Sequence, residues 1–349
     1  MKPVRFGVVG VAGIIGGTHV RAIRQIPQAQ LVAVTDLDLE AARRIAADSG
    51  CELLKNFEWM IKRADIDAVC LCTPHALHAP QAIAALKHGK HVLTEKPLAL
   101  SVDQADKMIE AAAKHDRKLA VVFQYRHRPA VIAAKRLLDA GELGPLYRVT
   151  VVHTAFKTQY FYESATWRGT WAGEGGGVLA NQAPHFLDLL VHLVGPPTRV
   201  MAWNRTLAHS VEVEDCASAL VEFPGGAQGY LHFNTFQVPA ENRIEIVGDR
   251  GALRIEGNEV RLFRPDAPLK QFISGDRSHV YAYPRCREVP VRLEDSEATH
   301  AAVLRQFVDA VLRNQPPPCD GAEALKSLEL ANAMMLSSFT GKPVDLPVG

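Results

Sequence analysis

The chain lacks an excess of charge of either sign. Its 349 residues include 39 Lys and Arg against 38 Asp and Glu, so the formal net charge is +1. Proteins that bind nucleic acid or an anionic membrane usually carry a basic surface, so this balance argues against both partners. No apolar run approaches the roughly 20 residues that span a bilayer, and the N-terminus shows no signal-peptide pattern. We therefore expect a globular protein of the cytoplasm.

Cysteine is also scarce. Six cysteines occur in the whole sequence, and none of them forms a Cys-x-x-Cys pair. This usage predicts a reduced compartment, without a disulfide framework or a cysteine metal site. The sequence shows no internal repeat and no low-complexity segment, and its length suffices for two domains with separate cores.

The first part of the chain alternates between apolar strands and amphipathic helices. The predicted strands are Val4–Gly10, Leu31–Thr35, Asp67–Cys72, His91–Thr94 and Lys118–Gln124. Predicted helices follow the glycines after Gly10 and begin again at Leu39, Pro80, Ser101 and Pro129. Short connections between strands and helices predict a doubly wound parallel sheet, that is, an α/β Rossmann domain over residues 1–126.

The pattern changes from Tyr147 onward. The strand-like segments are Arg148–Ala155, Arg199–Thr206, Cys216–Phe223, Gln228–Phe236, Arg243–Val247 and Leu253–Ile255. Turns such as Pro224-Gly225-Gly226 separate them, and helices return at Ala298–Arg313 and Ala322–Ser338. This part predicts a second domain over residues 127–349, an α+β domain with a large, mostly antiparallel, open sheet.

A glycine-rich turn follows the first strand. Glycines at 10, 13 and 16 can expose backbone N–H groups to a pyrophosphate at the helix N-terminus. Their spacing departs from Gly-x-Gly-x-x-Gly, so a purely structural turn is the alternative. Asp36 ends the next strand, where a carboxylate accepts hydrogen bonds from a ribose and repels a 2′-phosphate. NAD is therefore favoured over NADP, although Asp36 is also a candidate helix N-cap.

The segment Lys90–Pro97 ends a short buried strand in Glu95, Lys96 and Pro97. Ligands bind at the carboxyl ends of strands in an open parallel sheet. A partly desolvated lysine there is a candidate proton donor or substrate anchor, and a solvated loop residue is the alternative. The bond between Lys96 and Pro97 is a candidate for the cis form.

A second unusual segment runs from Trp167 to Asp188. Three consecutive glycines, 175–177, precede a predicted helix. Asn181 and His185 are four residues apart, so they share a face if both are helical. Within an apolar segment, His185 is either a functional group or a hydrogen-bonded core residue. His185, Asp188 and His192 also recur at helical spacing, but no other ligands match them, so we predict no metal. We expect Asp188 either to support a neighbouring site residue or to be a buried hydrogen-bonded group.

Together these motifs resemble the glucose–fructose oxidoreductase, inositol dehydrogenase and rhizopine-catabolism (Gfo/Idh/MocA) family. The matching features are Thr73-Pro74 with His78, Gly89 to Pro97, Gly175-Gly-Gly with His185 and Asp188, and the tail from Phe307 to Val344. The resemblance implies a Rossmann domain followed by an α/β domain whose open sheet often forms a subunit interface, hence a homodimer or homotetramer. It also implies hydride transfer between a nicotinamide and a secondary alcohol or ketone of a sugar, cyclitol or derivative.

The resemblance assigns the family's lysine to Lys96 and its acid–base histidine to His185. Asn181 stands where many members carry Asp. The expected cofactor-binding residues are Gly10, Ala12, Gly13, Ile14, Ile15, Asp36, Thr73, Pro74, His78, Glu95 and Lys96. The expected catalytic residues are Lys96, His185 and Asn181.

Oxidation of a carbinol needs a base on its hydroxyl oxygen, and His185 is the better acceptor, with Lys96 stabilising the alkoxide. The reverse assignment of the two roles is the alternative. The expected substrate-binding residues are Lys96, Arg126, Tyr160, Tyr162, Arg168, Asn181 and His185. Arg126 and Arg168 either hold an anionic group or form structural salt bridges. The rival functions are an NAD-using glycoside hydrolase on the same fold and a non-catalytic nucleotide-binding sensor.

Overall fold

The computed structural model describes residues 2–275, 280–296 and 298–348. They form two compact units. The first unit comprises Met1–Gln124, Thr170–Gly175 and Thr299–Leu328, and the second comprises Tyr125–Gly169, Gly176–Ala298 and Glu329–Gly349. Each unit is therefore assembled from several stretches of chain, whereas the domain boundary between 126 and 127 stays a prediction.

Strands and helices contribute to both units. In chain order, the strands are β1 (Val4–Val9), β2 (Ala29–Thr35), β3 (Glu52–Leu53), β4 (Ala68–Leu71), β5 (His91–Thr94), β6 (Leu119–Val121), β7 (Leu146–Thr154), β8 (Arg199–Arg205), β9 (Cys216–Glu222), β10 (Gln228–Asn234), β11 (Asn242–Gly248), β12 (Gly251–Glu256), β13 (Glu259–Pro265), β14 (Cys286–Val289) and β15 (Val344–Asp345). The helices are α1 (Ile14–Arg24), α2 (Leu39–Ser49), α3 (Phe57–Ile61), α4 (His75–Lys87), α5 (Val102–Lys114), α6 (Pro129–Asp139), α7 (Gln159–Glu163), α8 (Trp171–Glu174), α9 (Val178–Asn181), α10 (Pro184–Val194), α11 (Leu269–Gly275), α12 (His300–Arg313) and α13 (Gly321–Thr340).

The first unit is built on a six-stranded parallel sheet in the order β3-β2-β1-β4-β5-β6. Its central strands are buried on both faces, which explains their continuous apolar sequences. The predicted doubly wound Rossmann architecture is confirmed. The prediction that the last strand reaches Gln124 is wrong, because β6 ends at Val121 and Gln124–His127 is a turn of 3₁₀ helix.

Helices cover both faces of this sheet. The predicted helix over Ala298–Arg313 is present as α12. Its residues Leu304 and Phe307 are buried, and Phe307 packs against Phe6 of β1 with ring centroids 6.2 Å apart. The prediction that α4 begins at Pro80 is wrong. Pro74 sets the extended backbone before the helix, which begins at His75, and Pro80 lies inside it.

The second unit is built on a nine-stranded sheet in the order β14-β13-β12-β11-β7-β10-β9-β8-β15. All neighbouring strands are antiparallel except β7 and β10, which are parallel. Along each strand buried residues alternate with more exposed ones, so one face packs on helices α6, α9 and α10. The predicted large, mostly antiparallel sheet is confirmed, and β13 to β15 extend it beyond the predicted strands.

No helix within residues 2–275, 280–296 and 298–348 is both long and apolar enough to cross a membrane.

Candidate functional site

The carboxyl edge of the parallel sheet brings three of the predicted segments together. Backbone hydrogen bonds continue past the strand ends, from Gly10 to Thr35 (3.0 Å), from Cys72 to Val9 (2.9 Å) and from Glu95 to Leu71 (2.9 Å). The turns that follow β1, β2, β4 and β5 therefore all begin at the same edge of the sheet. This is the edge at which open parallel sheets bind ligands.

The glycine turn after β1 explains the irregular glycine spacing. A Cβ atom at Gly16 would lie 2.2 Å from the carbonyl oxygen of Gly10, so only glycine allows α1 to pack this closely on the turn. The close-packing glycine of the usual fingerprint is thus one residue later, at Gly16 instead of Ile15.

The N-terminus of α1 is open. Its N-cap residue, Gly13, makes no side-chain cap, and no acidic residue lies in the first turn of the helix. Ile14 is 88% exposed and Ile15 is 40% exposed. The uncapped backbone N–H groups and the positive end of the helix dipole are the features that bind a phosphate group.

Asp36 closes the other side of this turn. Its Oδ2 accepts a hydrogen bond from the backbone N–H of Ala12 at 2.8 Å, and its Oδ1 accepts one from Asp38 at 3.0 Å. The alternative that Asp36 caps α2 is wrong, because Asp38 is the N-cap and accepts from Ala41. The open helix end and this carboxylate fit the pyrophosphate and ribose of a dinucleotide.

His78 lies beneath the edge of the sheet and is fully buried. Its Nδ1 is 2.7 Å from the carbonyl oxygen of Pro97, and its Nε2 is 2.9 Å from that of Thr73. The ring thus joins the turn after β4 to the turn after β5, and burial lowers the pKa of its imidazole. The geometry gives His78 a positioning role for Thr73 and Lys96, while the contact with a cofactor stays a prediction.

The Glu95 carboxylate is held by two histidines to which no sequence motif points. Its Oε1 lies 2.8 Å from Nε2 of His19 in α1 and 3.3 Å from Nε2 of His300 in α12. Burial alone would raise the pKa of Glu95, but the two imidazole hydrogen bonds lower it well below its usual value. Glu95 is therefore ionised, and it fixes the end of β5 directly before Lys96.

Lys96 itself is half-buried at this edge, and its peptide bond to Pro97 is cis. Among the described residues, His19, Glu95 and His300 also form a group whose ligand atoms lie within 4.8 Å of one another. Hydrogen bonding accounts for this spacing, and the absence of a metal remains a prediction.

In the second unit, the backbone that follows Gly176 lies against Glu214. The backbone N–H groups of Gly177 and Leu179 both donate to Glu214 Oε1 at 2.9 Å. A Cβ atom at Gly177 would lie 1.8 Å from the carbonyl oxygen of Glu214. This close approach requires glycine at position 177, directly before α9. Glu214 was not identifiable from the sequence, because it lies far along the chain in a loop.

Asn181 and His185 lie on two separate helices, so the condition for a shared helix face is not met. Asn181 ends α9, and His185 is the second residue of α10, which begins at Pro184. Pro184 has no N–H group, so the backbone hydrogen-bond ladder breaks at this point. His185 is 9% exposed, and Asn181 is half-buried.

Asp188 forms a buried ion pair with Arg126. The guanidinium donates from Nε to Oδ2 at 2.8 Å and from Nη2 to Oδ1 at 2.6 Å. The two side chains are 9% and 1% exposed. The expectation that Asp188 is a buried hydrogen-bonded group is confirmed. This bidentate pair favours the structural alternative for Arg126 over the role of a substrate anchor.

A row of stacked rings surrounds His185. Its imidazole stacks on Tyr125 with ring centroids 4.4 Å apart and an interplanar angle of 26°. Tyr125 meets Phe186 edge to face at 6.1 Å, and Phe186 stacks on His153 at 4.1 Å. The stack fixes the plane of the His185 ring.

Three further predicted substrate residues lie on α7 or shortly after it. Tyr160 is 75% exposed on α7. Tyr162 is buried, and its hydroxyl lies 3.0 Å from Oγ1 of Thr235, so it does not line an open surface. The Arg168 guanidinium lies over the rings of Phe161 and Trp167, 4.3 and 4.6 Å from their centroids.

Comparison with known proteins gives matches over both units. Residues 4–123 match the oxidoreductase family with an NAD-binding Rossmann fold, and residues 131–254 match the GFO/IDH/MocA C-terminal domain. The chain is 28% identical to inositol 2-dehydrogenase of Rhizobium meliloti, over 98% of this chain and 99% of that one.

Solved structures show the same fold. The WlbA dehydrogenase of Bordetella pertussis, in complex with NADH and UDP-GlcNAcA, is 30% identical, with a TM-score of 0.85 and full coverage of both chains. A levoglucosan dehydrogenase in complex with NADH is 22% identical, with a TM-score of 0.85 and full coverage of both chains.

Proposed function

The chain belongs to the GFO/IDH/MocA family of NAD-binding oxidoreductases. We propose that Lys96 and His185 carry out the proton transfer in its reaction. The substrate is a secondary alcohol or ketone of a sugar, cyclitol or sugar derivative. The observation that carries the proposal lies at the end of β5. There His19 and His300 hold the buried Glu95 carboxylate, which fixes the backbone directly before Lys96.

NAD supplies the acceptor or donor of the hydride when it is bound. The N–H groups at the start of α1 would hold its pyrophosphate, and the Asp36 carboxylate would hold a ribose. Thr73, Pro74 and Lys96 complete the proposed contacts at the same edge of the sheet.

His185 is the proposed base. Removal of a hydride from a carbinol carbon leaves a carbonyl only if the hydroxyl proton also departs, so a proton acceptor must lie on that oxygen. An imidazole accepts a proton near neutral pH. The stack on Tyr125 holds the ring in one plane, which aims its nitrogen and lowers the entropy lost on binding.

Lys96 is the proposed partner on the substrate oxygen. Its ammonium donates a hydrogen bond and stabilises the negative charge that develops as the proton leaves. The reverse assignment, with Lys96 as base, predicts the same dependence on both residues. Asn181 is proposed to hydrogen-bond a neighbouring hydroxyl, since an amide both donates and accepts but is not a base. Tyr160 and Arg168 are proposed to contact the rest of the substrate.

We propose that the substrate belongs to the classes of compound that the names of this protein's relatives give. Inositol 2-dehydrogenase and the WlbA dehydrogenase with UDP-GlcNAcA point to a cyclitol or a sugar derivative. An NAD-using hydrolase and a nucleotide sensor are the rivals, and neither accumulates NADH.

The test mixes the purified chain with NAD and a panel of sugars, cyclitols, sugar acids and nucleotide sugars, and reads the absorbance of reduced nicotinamide. We expect NADH to accumulate with at least one member. Release of an aglycone from a glycoside without accumulation of NADH would support the hydrolase instead, and NADH binding without either reaction would support the sensor.

We also propose a homodimer or homotetramer formed through the outer face of the nine-stranded sheet. Trp203, Leu220 and Tyr230 lie on neighbouring strands of this face and are 48%, 56% and 41% exposed. Apolar side chains grouped in this way usually mark an interface. Light scattering of the native chain and of Leu220→Lys tests this, since the variant should fall to the mass of a single chain.

A cytoplasmic location is proposed from the six free cysteines.

A further inference from the structure

The loop between β8 and β9, residues 206–215, ends in a buried carboxylate. Asp215 is 0% exposed, whereas Leu207 on the same loop is 65% exposed. The Asp215 carboxylate accepts hydrogen bonds from three successive backbone N–H groups, those of Leu207 at 2.7 Å, Ala208 at 2.8 Å and His209 at 2.9 Å. Burial alone would raise the pKa of Asp215, but these hydrogen bonds lower it. The carboxylate therefore fixes the backbone of an otherwise exposed loop.

His209 links this carboxylate to the segment 157–169, which contains α7. The His209 side chain is 7% exposed, and its Nδ1 lies 3.0 Å from Asp215 Oδ2. On the other side of the ring, Nε2 lies 3.0 Å from the carbonyl oxygen of Lys157, two residues before α7. Tyr162 in α7 also packs on this ring, with centroids 4.9 Å apart. The imidazole thus contacts Asp215 and two points of the segment.

The loop is bonded to the same segment at two further points. Gln159 Oε1 accepts from the backbone N–H group of Ser210 at 3.0 Å, and Gln159 Nε2 donates to the Ser210 carbonyl oxygen at 3.2 Å. Beyond α7, the N–H group of Glu212 donates to the carbonyl oxygen of Gly169 at 3.0 Å. A Cβ atom at Gly169 would lie 2.8 Å from Cγ1 of Val211, so loop and segment approach closely here. Hydrogen bonds therefore join the loop to both ends of the segment 157–169.

Two residues of the proposed substrate site depend on this segment. Tyr160 is the second residue of α7. The Arg168 guanidinium lies over the ring of Phe161, also in α7, 4.3 Å from its centroid. Because Tyr160 is 75% exposed, its own side chain gives its backbone little support. The hydrogen bonds to the loop supply that support.

We propose that Asp215 and His209 are positioning residues for substrate binding. They hold the loop against the segment 157–169 and so fix the places of Tyr160 and Arg168. This inference rests on the proposed function, in which those two residues contact the substrate. Apolar side chains close a loop at lower cost, whereas a buried carboxylate with three N–H partners fixes the loop in one conformation.

Loss of either positioning residue should weaken substrate binding and leave turnover intact. Tyr160 and Arg168 are assigned to a part of the substrate that does not react, so their contacts are equal in the ground state and the transition state. Removal of such contacts raises KM without lowering kcat. A merely structural role of Asp215 predicts a different result, namely lower stability with an unchanged KM in the folded protein.

The experiment measures steady-state NAD reduction and, by calorimetry, probe binding to the NADH-loaded chain. The probes are glucose, myo-inositol, glucuronate and UDP-glucose, one from each class of the substrate panel. The variants are Asp215→Asn, His209→Gln and Gln159→Ala. Since Gln159→Ala removes only two hydrogen bonds near the surface, it keeps the test decisive if a buried variant does not fold. Leu253→Ala is the control, because it removes a buried side chain from β12, which three strands separate from β9. Circular dichroism and NADH affinity verify that each variant is folded.

We expect Asp215→Asn and His209→Gln each to weaken binding of at least one probe about tenfold, since hydrogen bonds to the probe are lost when the segment shifts. Gln159→Ala should act in the same direction by about threefold. In all three variants, kcat and the affinity for NADH should stay within about twofold of the native values. The double variant Asp215→Asn with His209→Gln should bind no more weakly than Asp215→Asn alone, because both residues act through one contact. Leu253→Ala should lower stability and keep the native KM.

A native KM in the folded Asp215→Asn and Gln159→Ala variants, or an equal rise of KM in Leu253→Ala, would overturn the inference. Failure of the proposed function gives a different result. If the probes bound more weakly to the variants but none of them reduced NAD in the native chain, only the proposed function would be wrong. If a probe reduced NAD with the same KM in every variant, the proposed function would stand and only the positioning role would be wrong.

Discussion

The ion pair between Arg126 and Asp188 offers the sharpest test of how the second unit is held together. Asp188→Asn keeps the size of the side chain but removes its charge. The Arg126 guanidinium, 9% exposed, is then left inside the protein beside a neutral amide. Loss of one partner of a buried pair costs about 3–5 kcal/mol of unfolding free energy, because the remaining charge stays desolvated and has lost the attraction of that partner.

A surface pair in the same unit supplies the control. Arg136 and Glu294 lie 2.8 Å apart, but their side chains are 45% and 55% exposed. Exposed pairs contribute about 0.2–1 kcal/mol, so Glu294→Gln should change stability little. Both variants remove one carboxylate charge, and burial is the main difference between them.

The assay is urea unfolding followed by tryptophan fluorescence and by circular dichroism. We predict that Asp188→Asn lowers the free energy of unfolding by several times the effect of Glu294→Gln. The double variant Arg126→Met with Asp188→Leu should recover much of the loss, because no buried charge remains. Equal effects of the two single variants would refute the reasoning from burial.

Three further predictions concern the first unit. Burial and the nearby Arg117 lower the pKa of His91 from 6.5 to about 4, so the folded chain holds it neutral. The contribution of neutral His91 to the free energy of unfolding is present above pH 6.5 and is lost as pH falls toward 4, by on the order of 2–3 kcal/mol. In His91→Gln, the free energy of unfolding should therefore depend less on pH between 6.5 and 4. Asp36→Ala should narrow the difference in affinity between NADH and NADPH measured by fluorescence titration, whereas equal affinities in the native chain would contradict the role of Asp36. Gly16→Ala should weaken NADH binding about tenfold or more, because its Cβ would collide with Gly10 and distort the turn; unchanged affinity would argue against that close packing.

The fold was predictable where a pattern repeats along the chain. Buried parallel strands alternate with helices up to β6, and this alternation alone gives the doubly wound sheet. Strand β13 was missed because Glu259 and Arg261 project from its outer face, so its sequence lacks the apolar run of a buried strand. The early start of α4 was missed because Pro80 is typical of a helix start, although a helix tolerates it with the loss of one hydrogen bond.

The site was predictable only in part. Glu95 and Lys96 follow a strand and are recognisable from sequence, but the partners of Glu95 come from α1 and α12, and His19 is 76 residues away along the chain. Contacts between distant segments depend on tertiary packing, and a local sequence pattern does not predict that packing.

The central claim is that Lys96 and His185 carry the proton chemistry of an NAD-dependent oxidation. The most direct measurement is the single-turnover rate of NAD reduction by the best substrate of the panel, compared among the native chain, Lys96→Met and His185→Gln. We predict that each variant slows reduction by on the order of 10²–10⁴ while its affinity for NADH stays within about twofold. Reduction at the native rate in either variant would contradict the role assigned to that residue.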